Sequence, residues 1–158
     1  MQNETALRQH LVKLLTNQDA HVDFETAIQG LPENLRGQKP DGAEHSPWQV
    51  LEHLRITQWD LLEFAINPRH KSPEFPAGYW PRSQSPASSA EWDRSADNFR
   101  NDLKRLCDLL NTGSVDLFAR IPHGEGQTLL RQALVTADHN AYHLGELVLL
   151  RRQLGAWH

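Results

Sequence analysis

Asp138-His139-Asn140-Ala141-Tyr142-His143 lies inside the last long helical stretch of the chain, residues 128–153. On a 3.6-residue period His139 and His143 point the same way, one turn apart, and Glu146 and Leu150 continue that line. On another side Ala133, Ala137, Ala141 and Gly145 recur every four residues, a strip along which a neighbouring helix can approach closely. Leu130, Leu134, Leu144 and Val148 border it. The stretch therefore reads as a central helix, apolar on most sides, with two imidazoles directed into whatever packs against it. Buried imidazoles need a hydrogen-bond partner or a ligand.

Working outward, the same logic finds three more long helices and one short one. Residues 5–16 place Leu7, Leu11, Leu14 and Leu15 on one face, and Asp23 caps a short helix stopped at Gly30-Leu31-Pro32. Ser46-Pro47-Trp48-Gln49 spells an N-cap, a first-turn proline and a capping box for a helix ending near Ile66, before Pro68. Ser88 and Glu91 spell a second capping box, for a helix reaching about Leu110 and stopped by Asn111-Thr112-Gly113. Thr128 caps the last helix and Gly155 ends it. Residues 32–45 and 113–127 read as loops, with residues 115–121 the one stretch that suggests extended chain. Residues 67–88, with five prolines around Gly78-Tyr79-Trp80, form an irregular crossover long enough to roof a pocket. The expected fold is all-α: one domain over residues 1–158, a four-helix bundle whose long crossover departs from simple up-down-up-down order.

Composition narrows the function classes. At 158 residues, 39% apolar and 23% charged, the chain suits a soluble globular domain. A net charge of −4, with Arg151-Arg152 at a helix end as the densest basic cluster, argues against nucleic acid as a partner. No apolar run approaches a membrane span, and the N-terminus lacks the regions of a signal peptide. With one cysteine, Cys107, set among leucines and read as a buried inert thiol, a cytoplasmic location is expected. Nine histidines and five tryptophans suggest an aromatic-walled pocket holding several imidazoles.

Two histidines at i and i+4 can share one metal ion, and His53, mid-helix on a core-like face, is the best third ligand. Three neutral imidazoles would leave an open position on zinc, nickel or a similar ion. The spacing alone, a weak signal for a metal, also suits surface or core-edge histidines hydrogen-bonded to Asp138, Glu146 or a backbone carbonyl. Glu146 is open to three roles: fourth ligand, partner of a ligand, or base. Asp138 and Asp60 are candidates to orient imidazole N–H groups, although Asp60, two turns from His53, is too far along the helix to share its ion. His21 and His123 lie in loops, as solvated residues or as proton shuttles; His10, His45, His70 and His158 read as surface residues. Trp48, Trp59 and Trp92 read as anchors, and Trp80 as a pocket wall.

Trp48-Gln49-Val50-Leu51-Glu52-His53-Leu54 and the stretch from Ala137 to Leu147 resemble the two signature helices of the DinB-like (DinB/YfiT) superfamily. The Ser46-Pro47-Trp48 helix start, Tyr79-Trp80-Pro81 and Pro122-His123-Gly124 extend the resemblance over nearly the whole chain. It implies an up-down-down-up four-helix bundle, often a homodimer, with one divalent metal ion held by His53, His139 and His143. Activities in that superfamily include transfer reactions that consume a low-molecular-weight thiol, maleylpyruvate isomerase-like chemistry and hydrolysis. A three-histidine ion can lower the pKa of a bound thiol or water. Asn140 stands where the zinc-protease pattern places a glutamate, so thiol-dependent S-transfer to a small molecule suits the residues better than peptide hydrolysis. His123 and Glu146 are the candidate catalytic residues. A metal-dependent hydrolase and a non-catalytic, stress-linked metal- or ligand-binding protein are the alternatives.

Overall fold

The computed structural model describes residues 2–16 and 20–157, so the sequence reading of His158 lies outside the described residues. Five α-helices account for the regular structure: α1 (Gln2–Thr16), α2 (Phe24–Ile28), α3 (Pro47–Ile66), α4 (Ser89–Asn111) and α5 (Leu129–Gln153). The described residues include no strand beyond one isolated antiparallel bridge between Arg120 and Thr128. The fold is all-α, as expected.

Caps set the helix starts. Ser46 accepts the Gln49 amide and Gln49 Oε1 accepts the Ser46 amide, so the predicted capping box of α3 is complete, with Pro47 in the first turn. Asp23 and Thr128 cap α2 and α5 in the same way through the amides of Thr26 and Arg131. The box predicted at α4 is half made: Ser88 accepts the Glu91 amide, but the Glu91 carboxylate takes the amide of Ala87 instead. Two arginines close C-termini, where carbonyls have no helical partner. Arg8 of α1, buried, donates to the carbonyls of Leu110, Thr112 and Val115 at the end of α4. Arg151 of α5, also buried, donates to the carbonyls of Thr26, Ala27 and Ala156. Arg151 is thus the helix-end cation expected from its position, but a buried one that also closes α2.

α3 packs on both α4 and α5, α1 packs on α4 and α5, and α2 covers another part of α5. Two apolar clusters result. One joins Phe24, Trp48, Leu51, Leu54, Phe99, Leu144 and Leu147. The other joins Leu11, Leu15, Leu62, Leu106, Leu110, Leu117 and Leu129. Between them runs a polar layer that helical periodicity did not predict. Asn140 Nδ2 donates to Gln58 Oε1 at 2.9 Å, and Gln58 Nε2 donates to the Phe99 carbonyl at 2.7 Å, all buried. Gln132 and Thr136 extend this buried row along α5, which is therefore less apolar than its sequence suggested.

The strip of small residues on α5 also divides. Ala133 and Ala137 are buried in packing, whereas Gly145 is exposed and has nothing within 4 Å of where a Cβ would stand. Residues 67–88 contain one 3-10 turn, Ala77–Tyr79, and cross the start of α3: Ser46 Oγ donates to the Gln84 carbonyl and Trp48 Nε1 to Ser83 Oγ. Residues 113–127 instead insert Leu117 and Ile121 into the interior, with the Leu130 amide on the Leu117 carbonyl.

Candidate metal centre

α3 supplies His53 and α5 supplies His139 and His143, and their ligand atoms all lie within 4.8 Å of one another. The closest approaches are between Nε2 atoms: 3.1 Å from His53 to His143 and 3.0 Å from His53 to His139. Rigid caps make this convergence reproducible. The Ser46 box fixes the start of α3 two turns before His53, and the i, i+4 spacing places the other two rings on one face of α5.

The other ring nitrogens decide which protons these atoms carry. His53 Nδ1 faces the Tyr79 carbonyl at 2.8 Å, and a carbonyl only accepts, so Nδ1 holds the proton. His143 Nδ1 faces Glu146 Oε2 at 2.7 Å, so there too Nδ1 is the donor. Burial, offset in part by the Tyr79 carbonyl, lowers the His53 pKa to about 4, so the ring is neutral at pH 7. The His53 Nε2 is then a lone pair, directed at the His143 Nε2 3.1 Å away. An ion seated between such ring nitrogens turns their lone pairs into ligands. Metal–imidazole bonds of about 2.0–2.1 Å at angles of roughly 90–110° bring ligand nitrogens about 2.9–3.4 Å apart, so the spacing suits a shared ion.

His139 completes the set less fully. Burial first, then the neighbouring rings of His143 and His53, lower its pKa to about 3, again leaving a neutral ligand. Its Nδ1 is buried without a hydrogen-bond partner, as is Asn140 Oδ1 beside it. Asp138 is exposed and does not orient either ring, contrary to one sequence reading.

Aromatic rings wall the centre. Trp80 lies flat on His53, centroids 3.8 Å apart at 3°, and His45 lies flat on the other face of Trp80 at 3.7 Å and 9°. His45 is therefore part of the site rather than a surface residue, and its Nδ1 is 3.5 Å from Glu146 Oε1. Burial alone would raise the Glu146 carboxyl, but the hydrogen bond and charge of His143 and the nearby His45 bring it below its ordinary range. Glu146 binds the side of His143 remote from Nε2, the position of a residue that orients a ligand.

A groove of about 600 Å³ opens on this wall, lined by Trp80, His143, Glu146, Tyr142 and Leu149, with residues 41–45 opposite. Sequence reasoning missed residues 41–45. The signal available was His45, two residues before α3 begins. Residues 113–127, read as a loop, do not line it.

Other candidates stand apart. His123 is exposed and its Nε2 is on the Phe64 carbonyl, about 16 Å along α3 from His53 at 1.5 Å per residue. His21 is exposed and turned onto the Val22 carbonyl, and His10 is exposed. His70, read as a surface residue, has only 6% of its side chain exposed and donates to Asp60. Asp60 thus orients an imidazole, but not a ligand. Cys107 is held by burial as a thiol with its pKa raised to about 11, in keeping with an inert role.

No curated protein and no solved structure matches the chain. The family model described as the DinB superfamily matches residues 17–147, a span that takes in α2 to α5 as far as Leu147 and all three clustered histidines. On that match the chain belongs to the DinB superfamily.

Proposed function

We propose that the protein binds one divalent metal ion through His53, His139 and His143 and catalyses thiol-dependent transfer to a small electrophile. The observation carrying this reading is the convergence of three imidazoles, with the Nε2 atoms of His53 and His143 3.1 Å apart and their remote nitrogens on the Tyr79 carbonyl and the Glu146 carboxylate. A divalent ion, zinc or nickel by its imidazole ligand set, would supply Lewis acidity and make a low-molecular-weight thiol acidic enough to react near neutral pH. The chain's own residues bind, orient and exclude water. His53, His139 and His143 hold the ion, Glu146 fixes the ring of His143, and the stack of His45 on Trp80 shields His53. The groove between residues 41–45 and α5 receives the substrate. Asn140, buried and bonded to Gln58, offers no carboxylate as a general base, which favours thiol transfer over hydrolysis.

The reading carries an architecture with it: α1, α3, α4 and α5 as an up-down-down-up four-helix bundle in a cytoplasmic homodimer. No helix among the described residues is long and apolar enough to cross a membrane.

Elemental analysis of untagged protein, beside His53→Ala and His139→Ala, tests the site. About one equivalent of metal is expected in the wild type and at least a tenfold loss in each variant. Loaded wild type should then join thiols to an electrophile panel while the variants do not. Equal turnover by metal-free protein would sink the catalytic reading; full metal occupancy without turnover would leave a non-catalytic binder.

A further inference from the structure

Residues 67–80 follow α3 directly and are irregular apart from the turn Ala77–Tyr79, yet they reach back to touch His53. Apolar burial does not hold residues 67–78 there, since Phe75, their large apolar side chain, is 85% exposed. The anchor is polar. Asp60, buried on α3 about two turns beyond His53, uses both carboxylate oxygens: Oδ1 accepts from His70 Nε2 at 2.7 Å and Oδ2 from the Tyr79 hydroxyl at 2.8 Å. Both donors belong to the segment. Trp59 sets its ring edge-on to His70, centroids 4.9 Å apart, closing the far side.

Tyr79 then joins this anchor to the metal centre. Its hydroxyl is on Asp60, while its main-chain carbonyl accepts from His53 Nδ1 at 2.8 Å. Trp80, the next residue, lies on the His53 ring. The carbonyl sets the tautomer and direction of His53, and the indole sets its plane. Gly78 makes the tight turn beneath them feasible, because a Cβ there would stand 2.8 Å from Pro73 Cβ.

We propose that Asp60, His70 and Tyr79 form a latch that positions His53 for its ion, coupling the order of residues 67–80 to metal binding. The inference rests on the three-histidine site being a metal site. Linkage makes the coupling reciprocal: whatever the closed latch adds to ion affinity, the bound ion adds to latch closure. The three latch residues are positioning residues, since none of them contributes an atom to the cluster.

The test measures zinc affinity by chelator competition for wild type, Tyr79→Phe and Asp60→Asn, together with the thermal midpoint of each metal-free protein. Amide exchange of wild type is followed with and without zinc. Tyr79→Phe is expected to bind zinc about 10–100-fold more weakly, as for lost partners of metal-bound histidines. Its metal-free midpoint should stay within about 3 °C of wild type. In wild type, zinc is expected to slow exchange at Gly78 and Tyr79, whose amides close the turn onto Glu74 and Pro76. Unchanged zinc affinity in Tyr79→Phe, or exchange in this segment indifferent to zinc, overturns the latch and leaves the metal site standing. A wild type that takes up no zinc overturns both. If Asp60→Asn fails to fold, Tyr79→Phe and the wild-type exchange decide the matter.

Discussion

His53 and His139 are imidazoles kept neutral by burial, with pKa values of about 4 and 3 against about 6.5 for a free ring. Below pH 6.5 the unfolded chain takes up protons that the folded, metal-free protein refuses until about pH 4. Stability therefore falls as pH drops through that window. The urea midpoint of metal-free wild type is expected to be lower at pH 5 than at pH 7, with a shallower pH dependence in His139→Ala. Equal slopes in the two proteins would mean that the His139 ring titrates like a solvated one. At this scale the sequence was informative about which histidines cluster and poor about their supports. The i, i+4 pair and a mid-helix His53 could be read from spacing. The partners on the remote nitrogens could not, because the Tyr79 carbonyl belongs to the main chain of an irregular segment. His45 and His70 lie in loops too, and loop histidines carry no periodicity to betray a buried side chain.

The helices were legible where a cap or a stop signal is chemical. Ser46-Pro47 and Thr128 begin helices as read, and α1 begins three residues earlier than its leucine pattern suggested. What the pattern could not reveal is how one helix end is closed by another helix. Arg8 stands on the leucine-bearing helix α1 and looks like a surface cation, yet it satisfies carbonyls more than a hundred positions away. Arg8→Ala would leave those carbonyls without a partner at a buried helix end, a loss of about 3 kcal/mol given roughly 1–3 kcal/mol for each orphaned group. Denaturant unfolding is the measurement, and an effect below about 0.5 kcal/mol would show that water replaces the guanidinium at no cost. Metal content of the folded variant should be unchanged, since α1 contributes no ligand.

Across the whole molecule, the groove beside the centre has an electrostatic character of its own. Asp41, Glu44 and Glu146 line it, and no lysine or arginine does. Anionic molecules meet a like-charged rim, so on the proposed reading neutral or cationic thiols should be the better co-substrates. With two thiols of equal size, one bearing an amine and one a carboxylate, kcat/KM is expected to favour the amine several-fold at low salt. The preference should shrink in the double variant Asp41→Asn, Glu44→Gln, and also as salt is raised. A preference for the carboxylate would place the co-substrate elsewhere on the surface.

Among the described residues, α3 sends no side chain into the groove. Its contribution to the centre is His53, which lies behind the indole of Trp80. Residues 41–45, by contrast, touch the groove and donate nothing to the histidine cluster. On the proposed reading, His143 and Glu146 serve both the centre and the groove, whereas residues 41–45 serve recognition alone and can change at their own rate during descent. A lineage could rewrite the short segment before α3, acquiring new substrates one substitution at a time, while the three ligands and their orientation pass down intact. Gly145, open to the groove, offers the complementary route: a side chain added there would narrow the floor without disturbing either core cluster.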